Sequence, residues 1–375
     1  MALIRYLNRV HLAPGALALL GGELKTLGIA RPMVVTDPGL AASELLRRTL
    51  AQCPSDAAVF TQTPQNPTED AVEAATRQYL DHGCDGLVAL GGGSPMDLSK
   101  AVAVLATHGG PLLQYMATEG GEARIGAKVA PIVAVPTTAG TGSEAGRSAM
   151  ITLRGGGKRS IRSFHIVPRL AICDAELTLG LPPLLTAATG MDALTHCVES
   201  YLSPTDNPVA EAIALRGAEL AFKNVEAATL RGATDVQVRH QMMTAALMGG
   251  LAFQKGLGAV HALAHQLGAL KKPVLHHGTL NAVLLPAVLR HNREHIAAKV
   301  PALAAALGLP PGQELAVAIE QLNARLGLPA RLRDMGLPAD CLDAMAQAAP
   351  GDPSTQTNPR PMDAAGYRQI LDAAY

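Results

Sequence analysis

Residues 256–286, GLGAVHALAHQLGALKKPVLHHGTLNAVLLP, decide how this chain is read. His261 and His265 stand four residues apart in an apolar, helix-compatible run, so both imidazoles leave one face of one helix. His276 and His277 follow a break at Lys271, Lys272 and Pro273, directly before Gly278. Upstream, Asp192 and His196 in GMDALTHCVES repeat the same spacing. Two such pairs and a histidine at a turn can close around one divalent cation through one carboxylate oxygen and two or three imidazole nitrogens. A lone histidine on an apolar face is more often a hydrogen-bonded core residue. Two pairs plus a further histidine, with few competing charges, bring the metal reading level with that one.

Working outward, the chain changes character near residue 178. Beyond it lie long Ala/Leu runs with helical spacing, at 182–201, 208–228, 234–253, 260–270 and 279–292. Before it, short apolar runs at 31–36, 57–60, 86–90 and 129–135 read as strands, with helical patterns between them, as at 68–82. Strands alternating with helices predict a parallel, doubly wound sheet. The expected fold is therefore an α/β domain with a parallel sheet over residues 1–178, then an all-helical domain carrying the candidate metal ligands over 179–375. The length of 375 residues also exceeds what one hydrophobic core usually supports. The segment 350–361, PGDPSTQTNPRP, reads as a turn-rich surface loop.

Two strand ends carry glycine-rich turns. GGGSPMD at 91–97 follows one predicted strand and opens a helix, where Ser94 is placed to cap and Pro95 suits the first turn. Free N–H groups and the helix dipole at such a terminus favour a phosphate, although a tight turn with no ligand has the same appearance. Neither the GxGxxG nor the GK[ST] pattern is present. PTTAGTGSEAG at 136–146 offers Thr137, Thr138, Thr141 and Ser143 to a polar cofactor without added charge. Asp37, at the end of the VVT strand, sits where an acid accepts from a ribose 2′-hydroxyl and repels a 2′-phosphate, favouring NAD over NADP.

Composition excludes other classes. Lysine plus arginine equals aspartate plus glutamate at 31 each, so no global field draws nucleic acid or an anionic membrane. The five scattered cysteines form no CxxC pair and suit reduced thiols in the cytoplasm. No signal-peptide pattern and no long uninterrupted apolar span are present.

These motifs together resemble the iron-containing (group III) alcohol dehydrogenase family, of dehydroquinate synthase-like fold. The resemblance rests on GGGSPMDLSKA, PTTAGTGSE, ATGMDALTHCVESYLS, GLGAVHALAHQLG, HHGTLNAVLLP and the TNPRP at 357–361, in family order along the chain. It implies that Asp192, His196, His261 and His277 hold Fe2+, with His277 preferred to His276 because it precedes Gly278; the same ligand set would also suit Zn2+. It also implies that His265 lies near the nicotinamide as a proton relay or positioning group. Gly92, Gly93, Ser94, Asp97, Thr137, Thr138, Thr141 and Lys158 would contact NAD, with Asn66 at its border. Ser148, Met150 and Phe253 would lie near a small alcohol or aldehyde, and the assembly would be a homodimer. Three features depart from the common pattern. They are a longer His265-to-His277 segment, a shorter AFQKGLGAVH and MITLRGGGK beside Lys158.

The expected activity is reversible hydride transfer between a small alcohol, or a hydroxy acid and its semialdehyde, and NAD. Arg147 and Lys255 are candidates for recognising an acidic substrate. Solvated side chains or bonds to backbone carbonyls are the commoner fate of such residues. The alternatives are a metal-independent reductase like maleylacetate reductase, a lyase like dehydroquinate synthase, and a non-catalytic nucleotide-binding protein.

Overall fold

The computed structural model describes residues 4–375. It divides into two compact units, one formed by Tyr6–Thr138 and Gly142–Thr178, the other by Leu179–Tyr375 with Ala139–Thr141.

The first unit runs β1 (Arg9–Leu12), α1 (Leu20–Thr26), β2 (Pro32–Val35), α2 (Glu44–Leu50), β3 (Ala58–Phe60), α3 (Glu69–Asp81), β4 (Gly86–Gly91), α4 (Gly93–His108), β5 (Ile132–Pro136), β6 (Ser148–Thr152), β7 (Lys158–Arg162) and β8 (Leu170–Cys173). Six strands form one sheet in the order β1-β8-β5-β4-β2-β3, and every pairing in it is parallel. Every residue of β2, β4, β5 and β8 is buried, which is why the first three read as unbroken apolar runs, while β8, only four residues long, was missed. Val34, Val88, Leu90, Val133, Val135, Leu170 and Ile172 pack on one face with Leu17, Leu20 and Leu24. β1 was not expected: RVHL is an edge strand whose first residue is exposed, so it keeps Arg9 and His11 and loses the apolar signature. The antiparallel pair β6–β7 is a further addition, closed through a glycine-rich turn.

From β2 the chain moves out to β3 and then reverses to β4 on the other side of β2. In open parallel sheets ligands bind outside the carboxyl ends of the strands at such a reversal. Asp37 lies two residues past β2, Gly91 ends β4, and Gly92–Ser94 follow it directly. Gly91 has φ +145°, and a Cβ there would lie 2.7 Å from Pro95 Cγ and 3.4 Å from Asp37 Oδ2, so glycine is required for the turn.

The second unit is helical: α5 (Pro183–Leu202), α6 (Pro208–Arg231), α7 (Val236–Ala252), α8 (Ala259–Leu267), α9 (His277–His291) and shorter helices to the C-terminus. α5 is buried over nearly its whole length from Thr186 to Leu202, and small residues let its neighbours approach closely. At Gly278 a Cβ would stand 2.2 Å from the carbonyl oxygen of Ala188, so the start of α9 rests on the backbone of α5. Gly278→Ala is expected to cost about 3 kcal/mol or more, because backbone rather than a flexible side chain must yield. Urea denaturation reads this directly, and an unchanged midpoint would show that α9 can move off α5 freely.

The 350–361 segment is not the surface loop its turn residues suggested. Asp352 and Asn358 are only 8% and 5% exposed, because both side chains bond to α8.

Candidate active site

α5 carries Asp192 and His196 one turn apart, α8 carries His261, and α9 begins at His277. One ligand atom from each of these four residues lies within 4.8 Å of all the others. Asp192 Oδ1 is 3.7 Å from His196 Nε2, 3.9 Å from His261 Nε2 and 3.7 Å from His277 Nε2. His276 is not in this group; it precedes α9, and its Nδ1 faces the Thr279 hydroxyl at 3.4 Å.

The imidazoles are poised as neutral donors of electron pairs. Burial lowers His196 to about 4 and His261 to about 3, against the pull of Asp192. His261 Nδ1–H donates to Glu199 Oε2 at 2.5 Å, which leaves Nε2 bare and aimed at Asp192. Glu199 also accepts from the Val260 N–H at 2.8 Å, and burial raises its carboxyl to about 7 against the pull of the neighbouring N–H groups. His196 has its Nδ1 3.3 Å from the carbonyl oxygen of Gly140, stacks on His261 with ring centroids 4.4 Å apart, and meets Phe253 edge-on at 4.6 Å. Asn281, one turn after His277, donates from Nδ2 to Asp192 Oδ1 at 2.7 Å and faces the Nε2 atoms of His261 and His277 at 3.3 Å each.

Neither Glu199 nor Asn281 stands out from the sequence as a site residue. Each lies on a helix with a ligand residue, at +3 from His196 and +4 from His277, and that spacing was the available signal.

His265 lies apart from the four. Its Nδ1 bonds Asp352 Oδ2 at 2.8 Å, and its ring lies parallel to that of His277 at 5.6 Å. In the first unit Asp37, Gly92, Gly93, Ser94, Thr137 and Thr138 follow the carboxyl ends of β2, β4 and β5, while Asn66 lies between β3 and α3 and Lys158 begins β7. Asp37 Oδ1 accepts from the N–H groups of Gly39 and Leu40, fixing its turn. Ser94 does not cap α4: the cap position is Gly92, and the Ser94 hydroxyl donates to the carbonyl of Gln65. Asp97 accepts from the Ser143 hydroxyl at 2.8 Å and the Met150 N–H at 2.9 Å. Thr137 N–H donates to Gly91 O at 2.9 Å, Thr138 lies against Gly92, and Gly93 begins α4. Lys158 Nζ donates to Asn66 Oδ1 at 3.2 Å. Ser148 and Met150 share the half-buried face of β6, while Thr141 belongs with the helical unit.

The two basic candidates are occupied otherwise. Lys255 is buried and donates to the carbonyls of Tyr201 and Ser203, with Glu211 at 3.2 Å. Arg147 pairs with Glu122 at 3.1 Å and lies over the ring of Phe164.

With that geometry in view, the profile of the family "Iron-containing alcohol dehydrogenase" matches residues 8–175, and that of "Fe-containing alcohol dehydrogenase family, C-terminal" matches 186–375. The chain belongs to the iron-containing alcohol dehydrogenase family. It is 49% identical over 380 residues to 4-hydroxybutyrate dehydrogenase of Cupriavidus necator, spanning 99% of each chain. To 1,3-propanediol dehydrogenase of Citrobacter freundii it is 37% identical, spanning 96% of each. A crystal structure of 1,3-propanediol oxidoreductase superposes with a TM-score of 0.93 at 35% identity, covering 100% of this chain and 99% of the other. The enzyme is thus an oxidoreductase of alcohol dehydrogenase type, and its family implies a nicotinamide cofactor and a metal.

The residues fit a divalent cation. One anionic oxygen and three imidazole nitrogens are its usual donors, and the lone pairs of His261 and His277 converge on a spot where the nearest donor is the Asn281 amide. The oxygen of that amide is buried without a hydrogen bond, a polar atom left over at the same place.

Keeping His196 and His261 neutral has a consequence for pH. Unfolded histidines near 6.5 bind protons that the folded ones refuse, so stability falls as pH drops below that value toward about 4 and about 3. Glu199, raised to about 7, works in the opposite sense above its unfolded value, one group against two. The chelator-treated enzyme is expected to melt at progressively lower temperature from pH 6.5 to pH 4. Melting independent of pH across that window would contradict neutral, buried imidazoles.

Proposed function

We propose that the enzyme catalyses reversible, metal-dependent hydride transfer between NAD and a small primary alcohol, with an ω-hydroxy acid such as 4-hydroxybutyrate as the favoured class. The observation that carries this reading is the convergence of Asp192, His196, His261 and His277 within 4.8 Å. The substrate class comes from the 49% identical 4-hydroxybutyrate dehydrogenase.

Asp192 and the three imidazoles would hold Fe2+ or Zn2+; such a cation supplies Lewis acidity toward the alcohol oxygen, worth several kcal/mol. NAD supplies the hydride acceptor at its nicotinamide C4. Glu199 keeps the proton of His261 on Nδ1, so that Nε2 stays a donor of electrons. His265, with Nδ1 held by Asp352, takes the hydroxyl proton at Nε2 and passes it toward solvent, while the hydride leaves the carbinol carbon. The balance is alcohol plus NAD+ giving aldehyde, NADH and one proton. Asp37, Asn66, Gly92, Gly93, Ser94, Asp97, Thr137, Thr138, Thr141 and Lys158 line the dinucleotide in this reading, and Ser148, Met150 and Phe253 the substrate. The carboxylate at Asp37 supports NAD over NADP.

Metal analysis after anaerobic purification, with activity restored on adding Fe2+ or Zn2+ back to the chelated enzyme, tests the reading. Full turnover of a metal-free preparation would remove it and favour the metal-independent reductase. Comparing kcat/KM for 4-hydroxybutyrate and 1-butanol tests the substrate class, and equal values would exclude recognition of the carboxylate. The five cysteines are all free, which supports the cytoplasm, and no described helix is long and apolar enough to cross a membrane. Family membership supports a homodimer, which sedimentation would read directly.

A further inference from the structure

The TNPRP motif at 357–361 contributes nothing to the four converging side chains, yet its asparagine is only 5% exposed. Asn358 Oδ1 accepts from the N–H of Ala259, the first residue of α8, at 3.1 Å and from Asn292 Nδ2 at 2.9 Å. Its Nδ2 donates to Asn292 Oδ1 at 3.0 Å and to the carbonyl of Arg360 at 2.7 Å. Thr357 adds a bond from its hydroxyl to the carbonyl of Leu257 at 2.6 Å.

A helix leaves its first N–H groups without internal partners, and a side chain at the cap position usually meets one of them. α8 cannot do this for itself. Its cap is Gly258, where a Cβ would stand 2.8 Å from Glu199 Oε1 and 3.0 Å from Asn358 Oδ1. The acceptors come instead from far along the chain: Asn358 for Ala259 and Glu199 for Val260, with Glu199 also holding the ring of His261. Asn292 directly follows α9, and Glu199 belongs to α5. The three helices that carry the four candidate ligands are therefore tied together at one polar node, which Val198, Leu202, Leu285 and Val288 wrap in apolar surface. All three polar side chains are buried, which strengthens such bonds and makes the loss of one costly.

We propose that Asn358 is a positioning residue of the metal site: paired with Asn292, it pins the first turn of α8 and so sets where His261 presents Nε2. The proposal rests on the metal-binding reading given above. His261 is the third residue of α8, in the turn that would fray first without an acceptor for Ala259.

The test measures the Zn2+ dissociation constant by competition with a chromophoric chelator, alongside thermal melting, for the full-length wild type, N358A, N292A and N207A. Asn207 is also buried and also caps a helix, accepting from Ala210 N–H at 3.0 Å, but α6 carries no candidate ligand. N358A is expected to weaken Zn2+ binding roughly 10- to 100-fold, the range for groups that orient a ligand. N292A, which removes only the partner of the amide, is expected to give a smaller rise and stands in if N358A fails to fold. N207A should lower the melting temperature and leave Zn2+ affinity unchanged. Wild-type affinity in both N358A and N292A, or an equal loss in N207A, would overturn the proposal. Absence of Zn2+ binding by the wild type would overturn the metal reading itself, and the proposal with it.

Discussion

Asp192→Ala is expected to fold, to lose its divalent metal and to oxidise alcohols roughly a thousandfold or more slowly, the equivalent of several kcal/mol. Asp192 is the anionic member of the group, and its Oδ1 lies within 3.9 Å of the Nε2 atoms of all three histidines. Imidazole ligands bring no negative charge, so the three histidines, two of them buried, cannot by themselves balance a dication. The change also strips the Asn281 amide of the acceptor it reaches at 2.7 Å, so the loss includes a disordered Asn281 as well as a missing ligand. Metal content by plasma emission and the rate under saturating NAD check this together. Retention of stoichiometric metal with an unchanged rate would remove Asp192 from the site.

Glu199→Gln should have the second largest effect, although it alters no candidate ligand. One carboxylate oxygen accepts from Val260 N–H and the other from His261 Nδ1–H. A carboxamide keeps the shape but offers one acceptor and one donor. With its NH2 toward His261, the imidazole must move its proton to Nε2, the atom that faces Asp192. With the NH2 toward Val260, two donors oppose each other at the start of α8. Either way metal affinity is expected to fall roughly 10- to 100-fold, the usual cost of losing a group that orients a ligand histidine. A chelator-competition titration reads it, and wild-type affinity would show that His261 needs no carboxylate to hold its tautomer.

The parts of this enzyme readable from sequence are those with short repeats. The spacing of Asp192 and His196 is a property of one helix, and so is that of His261 and His265. The apolar runs of β2, β4 and β5 declare strands buried on both faces. What escaped lies in pairs far apart along the chain. Asp352 meets His265 across 87 residues and Asn358 meets Ala259 across 99, so a segment rich in turn residues read as surface when two of its side chains were buried. β1 escaped because an edge strand needs no apolar alternation. Ser94 suits a cap by its position, but its hydroxyl meets the carbonyl of Gln65, a partner outside its own turn. Lys255 was open to two readings, recognition of an acidic substrate or bonds to backbone carbonyls, and the second holds, with Glu211 as a further partner.

The most direct measurement is anomalous diffraction from crystals grown anaerobically with NAD, collected on either side of the iron and zinc absorption edges. One peak is expected, bonded to Asp192 Oδ1 and to the Nε2 atoms of His196, His261 and His277. A peak elsewhere, or none in crystals of a fully active preparation, would contradict it.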